Sequence, residues 1–252
     1  MVASTEIALM FSGGLDSTAT AARLATQHTR VHLLHYANGY GHFGLGRAEK
    51  RTQALQAAIG DRFSLHLLPT KDLFDDIVVQ RIAQEARDAG GAFVWCMGCK
   101  LAMHLRSAEF CLEHGIPALA DGSNQETSEM VEQMRVSLTL IAGFYSRWGI
   151  RFETPVYEQG RQASRDYLKG KGVPTGLTLM DRQIGVQPTC LWGELYYLPY
   201  VLFNKRVRHD ERQVAGFIAG KQAQMDALLR GRLQARGFDA DQLAEHMRNA
   251  TT

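Results

Sequence analysis

Two groups of residues in this sequence have the types and spacing that chemistry requires. The first is Ser12-Gly13-Gly14-Leu15-Asp16-Ser17-Thr18. Its two glycines let the backbone turn sharply and approach a ligand without a Cβ in the way. The amides from Gly13 to Ser17 are expected to converge where a helix begins, and unpaired N–H groups there favour an anion. Ser12, Ser17 and Thr18 add hydroxyl donors, and Asp16 supplies a carboxylate suited to a Mg²⁺ ion that bridges phosphates. No lysine follows the glycines, so the Walker pattern is absent, and the dinucleotide pattern G-x-G-x-x-G fails as well.

The second group is Cys96-Met97-Gly98-Cys99, with Cys190 a further 91 residues along. Two sulfurs at C-x-x-C spacing can meet one metal or cluster, or form a redox pair. Cys190 becomes a third ligand if its loop returns to the same rim. Cys111 lies twelve residues beyond Cys99, about 18 Å along a continuous helix at ~1.5 Å per residue, and reads as a small buried hydrophobe. His104 sits too far along the same helix to complete a tetrahedral zinc site. A [4Fe–4S] cluster held by three cysteines instead leaves one iron open.

The elements that must position these groups emerge from apolar patterning. Ile7-Ala8-Leu9-Met10-Phe11 is a continuous apolar run, as expected of a strand buried on both faces. Strands are likewise expected at 31–35, 63–68 and 116–120. Helices are expected over about 16–27, 49–59, 72–89 and 97–114, with Asp72 capping the third. That order calls for a parallel sheet with right-handed crossovers and helices on both faces. Ligands of such sheets sit beyond the carboxyl ends of the strands, which directs attention to the loops leaving Phe11, His35 and Ala120.

Composition bounds the rest. The 252 residues are 45% apolar and 21% charged, enough for one large α/β domain or a core with a helical appendage. No apolar run approaches the roughly 20 residues of a membrane helix. The first residues lack a basic region, so a signal peptide is not expected and the cytoplasm is the expected compartment. Four cysteines are too few for a disulfide scaffold. The net charge of +2 conceals a stretch from Val201 to Arg236 with eight Lys/Arg against three Asp/Glu. With Trp192, Tyr196, Tyr197, Tyr200 and Phe203 nearby, that stretch could track a phosphate backbone while the aromatics stack a base. The plainer reading makes the aromatics core or subunit contacts and the charges a solvated helix face.

With S-G-G-x-D-S placed directly after the first buried strand, the sequence resembles the PP-loop ATP pyrophosphatases. The resemblance implies an adenine nucleotide alpha-hydrolase-like fold, a parallel five-stranded sheet with helices on both faces plus a helical C-terminal extension. Residues 1–195 would form the nucleotide-binding core that carries the cysteines. Residues 196–252 would form the extension, used for acceptor binding or for homodimerisation. ATP is then cleaved between its α and β phosphates, the AMP moiety goes onto a substrate oxygen, and nitrogen or sulfur displaces it. Carried over, Ser12, Gly13, Gly14, Leu15, Asp16, Ser17 and Thr18 hold ATP and pyrophosphate, with Asp16 positioning Mg²⁺. His35 in His35-Tyr36-Ala37-Asn38-Gly39 stands where the family holds adenosine. Gly122 and Asn124, in Asp121-Gly122-Ser123-Asn124, contact the nucleotide, and Glu126 and Glu129 come next. Thr154-Pro155-Val156, Arg165, Leu168 and Gly172-Val173-Pro174 resemble the segment after the fifth strand.

A subset of that family combines C-x-x-C with a distant third cysteine, namely the tRNA thiolases of the 2-thiocytidine and 2-thiouridine type. Some homologues of the sulfur transferase that prepares the nickel-pincer cofactor look similar. This resemblance implies that Cys96, Cys99 and Cys190 ligate a [4Fe–4S] cluster, and that Asp16, Cys99 and Cys190 take part in catalysis. The expected activity is ATP-dependent sulfur transfer, with sulfide or a persulfide carrier as donor and tRNA or a small molecule as acceptor. Other members use two cysteines without a cluster, and Cys99 and Cys190 could then carry and resolve a persulfide. A zinc-containing amidotransferase or ligase, and an ATP-binding sensor or scaffold, are the remaining alternatives. No zinc ribbon or separate RNA-binding module is recognisable, which makes a small-molecule acceptor a serious rival to tRNA.

Overall fold

The computed structural model describes residues 6–43, 46–175, 189–193, 195, 198 and 208–251. Its central sheet is built from β1 (Glu6–Met10), β2 (Arg30–Ala37), β4 (Phe63–Pro69), β5 (Ala118–Asp121) and β6 (Arg151–Glu153). These five strands are parallel and lie in the order β4-β2-β1-β5-β6. The short strands β3 (His42–Phe43) and β7 (Thr189–Cys190) pair antiparallel, apart from that sheet. Such a parallel sheet is what the sequence leads one to expect.

Alternation along β1 divides the core in two. Ile7, Leu9 and Phe11 face one side with α1 (Leu15–Leu24), α2 (Gly46–Ile59) and α7 (Arg161–Gly170). Ala8 and Met10 face the other, with α3 (Lys71–Ile77), α5 (Val94–His114) and α6 (Arg135–Arg147). The C-terminal helices α8 (Glu211–Ala235) and α9 (Ala240–Thr251) belong to this second core. Val214, Ile218, Leu229, Leu233 and Met247 are all buried in it.

Two expectations are corrected. The helix expected over 72–89 is broken into α3, a 3₁₀ turn at Val79–Arg81, and α4 (Ile82–Asp88). The break falls at Val78, whose side chain packs into the notch left by Gly98 on α5; a Cβ at Gly98 would lie 2.7 Å from Val78 Cγ2. Asp72 does not cap α3, because Thr70 precedes the helix and the Asp72 carboxylate pairs with Arg232 at 2.6 Å.

The basic stretch also resolves in part. On α8, Lys221 pairs with Glu85, Arg230 with Asp241, and Arg232 with Asp72 and Glu109, while Arg236 pairs with Glu109 and Glu113. These cations hold the helix to α3, α4, α5 and α9 rather than standing free for a polyanion. Tyr196, Tyr197, Tyr200 and Phe203 lie outside the described residues. No helix among the described residues is long and apolar enough to cross a membrane.

Candidate active site

Parallel register brings the strand ends to one edge: Met10 lies beside Leu34 of β2 and beside Asp121 of β5. The chain leaves β1 between strands whose crossovers run in opposite directions, and this is where such sheets open a crevice. A cavity of about 360 Å³ lies there, with Ser12, Gly14, Leu15, Asp16, Ser17 and His35 in its wall.

The loop after β1 is tied to itself. Ser12 and Ser17 hydroxyls share a hydrogen bond of 3.1 Å, and the Gly14 N–H donates to Ser12 Oγ at 3.2 Å. Ser17 and Thr18 hydroxyls donate to the Gly14 carbonyl at 3.2 and 2.7 Å. No side chain caps α1, so the first-turn N–H groups are left to a ligand. Gly13 supplies the turn, with φ +76° and Ala48 Cα only 3.3 Å from where a Cβ would be. It and Thr18 shape the loop from outside the cavity wall, whereas the other loop residues face inward.

Of the residues expected in the second loop, Gly122 lines the cavity and Asn124 does not. A Cβ at Gly122 would fall 2.7 Å from Ser17 Cα, so the glycine lets the β5 loop press against the start of α1. The Asn124 amide is buried and occupied; it donates to Gln159 O at 2.8 Å and to Asp16 Oδ1 at 3.4 Å, and its oxygen caps the next turn by accepting from Glu126 N. Its place is to position Asp16. Glu126 accepts from Arg161 N at 3.1 Å.

Asp16 shares the cavity with Arg161, whose Nε lies 3.4 Å from Asp16 Oδ2. Burial raises the Asp16 carboxyl, Arg161 and Arg165 pull it down, and Glu126 pushes it up; the net direction is upward. A carboxylate penalised in this way gains most from a cation. His35 is buried and donates from Nδ1 to Phe11 O at 2.8 Å, so Nε2 is left as an unpartnered acceptor. Burial lowers its pKa and keeps the ring neutral.

Several residues that pattern reading missed complete the wall. Lys100 Nζ pairs with Asp121 Oδ2 at 2.7 Å, and Ser123 donates to the other Asp121 oxygen at 2.9 Å. Burial alone would raise the Asp121 carboxyl, but Lys100, His104 and these hydrogen bonds outweigh it and hold it below the ordinary range. Glu132 also faces the cavity, with a buried Oε2 that has no partner, and burial raises its carboxyl. Lys100 was findable, since it comes directly after Cys99 and shares a helix face with Cys96. Arg161 and Glu132 are brought in by tertiary packing alone.

The cysteine motif lies on the first turns of α5, which begins at Val94 rather than near Met97. Cys96 is partly buried and Cys99 buried, with the Asn38 amide donating to Cys99 Sγ at 3.3 Å. Asn38 therefore serves the sulfur and not the nucleotide. Cys190 is carried in by β7, opposite His42 of β3. Trp95 and Trp192, neighbours of the two cysteine segments, meet with ring centroids 5.7 Å apart. Burial raises the thiols of Cys96 and Cys99, and the neighbouring Glu132 and Cys190 raise both further. Burial is the largest cause, and it pushes Cys99 up to about 12 despite Asn38. Both thiols are therefore protonated until a metal or cluster displaces the proton. Among the described residues, no three His, Cys, Asp or Glu side chains are gathered tightly enough for a single metal ion. Cys111 is buried in the core, as expected, and His104 is spent on Tyr145.

No family model and no curated protein matches the sequence. Solved structures do. A 4-thiouridine synthetase–RNA complex with bound ATP aligns at a TM-score of 0.57 and 15% identity, covering 97% of this chain and 53% of that one. The U34-tRNA thiolase NcsA from Methanococcus maripaludis, with its [4Fe–4S] cluster, aligns at 0.48 and 14%, covering 90% and 72%. A predicted subunit of tRNA methyltransferase from Methanocaldococcus jannaschii aligns at 0.39 and 17%, covering 66% and 74%. The first of these shows the fold, an α/β architecture with a five-stranded parallel sheet. It spans about half the length of that synthetase.

Proposed function

We propose that this protein is an ATP-dependent sulfur transferase that adenylates a carbonyl oxygen, releases pyrophosphate, and replaces the oxygen with sulfur handled at Cys96, Cys99 and Cys190. One observation carries the reading. Lys100 reaches into the nucleotide cavity to Asp121, while the preceding residue, Cys99, ends the C-x-x-C motif and accepts from the Asn38 amide. Nucleotide chemistry and sulfur chemistry thus share one turn of α5.

The loop amides, Ser12 and Ser17 would hold the ATP phosphates, and Asp16 would hold a Mg²⁺ ion, which supplies charge neutralisation there when bound. Lys100 and Arg161 offer positive charge to the phosphate oxygens as the α–β bond breaks. The attacking carbonyl oxygen displaces pyrophosphate at the α phosphorus, which leaves AMP as the later leaving group. Holding both reactants in this crevice supplies most of the acceleration.

The donor set fits a [4Fe–4S] cluster better than zinc. It is all sulfur and numbers three cysteines, whereas a structural zinc takes four protein ligands. Cys96, Cys99 and Cys190 would hold such a cluster, which when bound supplies an open iron for sulfide. Cys99 and Cys190 as a persulfide pair without a cluster is the second reading.

Anaerobic purification, then iron and acid-labile sulfide analysis with a visible spectrum near 400 nm, decides between them. Iron and sulfide that vanish in Cys190→Ala while ATP binding persists support the cluster. Zinc without iron or sulfide excludes it. A Cys99–Cys190 disulfide after turnover supports the persulfide. Release of phosphate in place of pyrophosphate would refute the whole assignment.

A further inference from the structure

This inference rests on the sulfur-transferase reading and names the class of its acceptor. A second cavity, of about 350 Å³, opens beside Cys96, with Ile82, Ala86, Trp95 and Trp192 in its walls. That size is within the range of small-ligand pockets, about 300–1,000 Å³. Helix α5 contributes to its wall and to that of the nucleotide cavity. Trp95 and Cys96 face the second cavity, and Lys100 and Met103 face the first. Cys96 and Lys100 are one helical turn apart, roughly 6 Å along the axis at ~1.5 Å per residue, so the cysteine motif adjoins both spaces.

Its walls are aromatic and unequal. Trp95 is fixed edge-on against Tyr40 and Phe74, with centroids at 5.6 and 4.9 Å. Trp192 tilts 55° away from it and is 50% exposed. A fixed indole beside an open one makes a cleft for a flat ring. The Nε1–H of Trp95 is buried without an acceptor. Such a donor is costly until an oxygen meets it. No charged side chain among the described residues lines the cavity. On α8, Lys221, Arg230 and Arg232 are committed to carboxylates, as is Arg236 just past its end. A phosphate-rich occupant finds no anchor among them.

We propose that the Trp95–Trp192 cavity receives the acceptor as a free, uncharged planar heterocycle bearing a lactam carbonyl. The ring stacks on Trp192, and a carbonyl oxygen accepts from Trp95 Nε1, beside the cysteines that handle sulfur.

Isothermal titration of the full chain, without ATP, tests this with uridine, cytidine and inosine as probes. Dihydrouridine is the control, since it keeps both carbonyls and loses the flat ring. At least one of the three nucleosides should bind saturably. Dihydrouridine should bind at least ~10-fold more weakly than uridine if uridine is that ligand. Trp192→Ala should weaken binding by about 10-fold, the size of one stacked base, while Trp192→Phe stays within about threefold. ATP affinity should be unchanged in both variants, which verifies folding. A single-stranded uridine oligonucleotide should bind no more tightly per base, with little dependence on salt. Failure of all three nucleosides overturns the proposal, as does full affinity in Trp192→Ala. Binding confined to the oligonucleotide with a steep salt dependence assigns the face to RNA. A Trp192-dependent change in sedimentation without nucleoside binding assigns it to a second copy of the chain, and either result overturns the proposal. Because no ATP is present, loss of pyrophosphate release alongside intact nucleoside binding would strike the parent reading alone.

Discussion

The side-chain amide of Asn38 donates to the sulfur of Cys99 across 3.3 Å, joining the chain after β2 to the cysteine turn of α5. The amide oxygen is fixed as well, accepting from Tyr40 N at 2.9 Å. A donor on sulfur favours the thiolate, but burial outweighs it and the Cys99 thiol stands at about 12. Removing the donor moves it further up. In metal-free protein, alkylation of Cys99 by iodoacetamide, resolved by mass spectrometry, should be slower in Asn38→Ala than in wild type below about pH 10. Cys190, partly exposed, should react at an unchanged rate. Faster modification of Cys99 would show that Asn38 acts mainly as a cover.

Gly98 and Val78 form a second pairing that the cysteine turn depends on. A Cβ at Gly98 would stand 2.7 Å from Val78 Cγ2 and 2.8 Å from its Cβ. Gly98→Ala should therefore cost about 1–3 kcal/mol of stability in urea denaturation, in spite of the better helix propensity of alanine. Val78→Ala takes away the two Cγ contacts and leaves the Cβ contact at 2.8 Å, so it should rescue only part of that loss in the double variant, with a coupling of at least ~0.5 kcal/mol. Additive effects would show that the two side chains do not compete for one space.

What the sequence made legible was local. Strand β1 and the glycine loop could be read because a doubly buried strand is a continuous apolar run and the loop comes directly after it. Cys111 could be set aside from helix rise alone. The break at Val78 was invisible because the residues around it keep a helical apolar face, and its cause, Gly98, lies twenty positions away. The cations of α8 looked like a free basic face because Glu109 and Asp72, their partners, are over a hundred residues distant. Asn124 showed the same failure in the site itself: its type and loop were right for a ligand, yet its amide is used to hold Asp16 and the Gln159 carbonyl.

Gly122 makes a prediction that separates binding from folding. Its missing Cβ would meet backbone, with Ser17 Cα at 2.7 Å and Ser17 N at 2.8 Å. A flexible side chain could give way there, and backbone at the start of α1 cannot do so without moving the loop amides. Gly122→Ala should weaken ATP binding by at least ~10-fold, measured by calorimetry. The thermal midpoint should fall by only a few degrees, consistent with about 1–2 kcal/mol of local strain. Unaltered ATP affinity would show that the loop amides do not hold the phosphates.

His104 sets the acid side of the stability curve. Tyr145 donates its hydroxyl proton to the His104 carbonyl at 2.9 Å, so His104 Nδ1 must be the donor in its 3.0 Å contact with the Tyr145 oxygen. Nε2 is buried without a partner. Burial lowers this histidine to about 3, with Lys100 lowering it further and Asp121 opposing. The unfolded chain accepts a proton near pH 6.5 that the folded chain refuses, so stability falls as pH drops below 6.5 and levels off only near 3. The slope from this group is about 1.4 kcal/mol per pH unit. Above pH 6.5 it contributes nothing. His104→Leu should cost about 1 kcal/mol at about pH 7.5 through the lost hydrogen bond. It should also flatten urea-denaturation stability between about pH 6 and 4.5 by roughly 1 kcal/mol per unit. His35 and His66, which burial also lowers, keep a smaller slope in the variant. An unchanged slope would mean that the folded protein protonates His104 after all, with Asp121 rather than burial governing it.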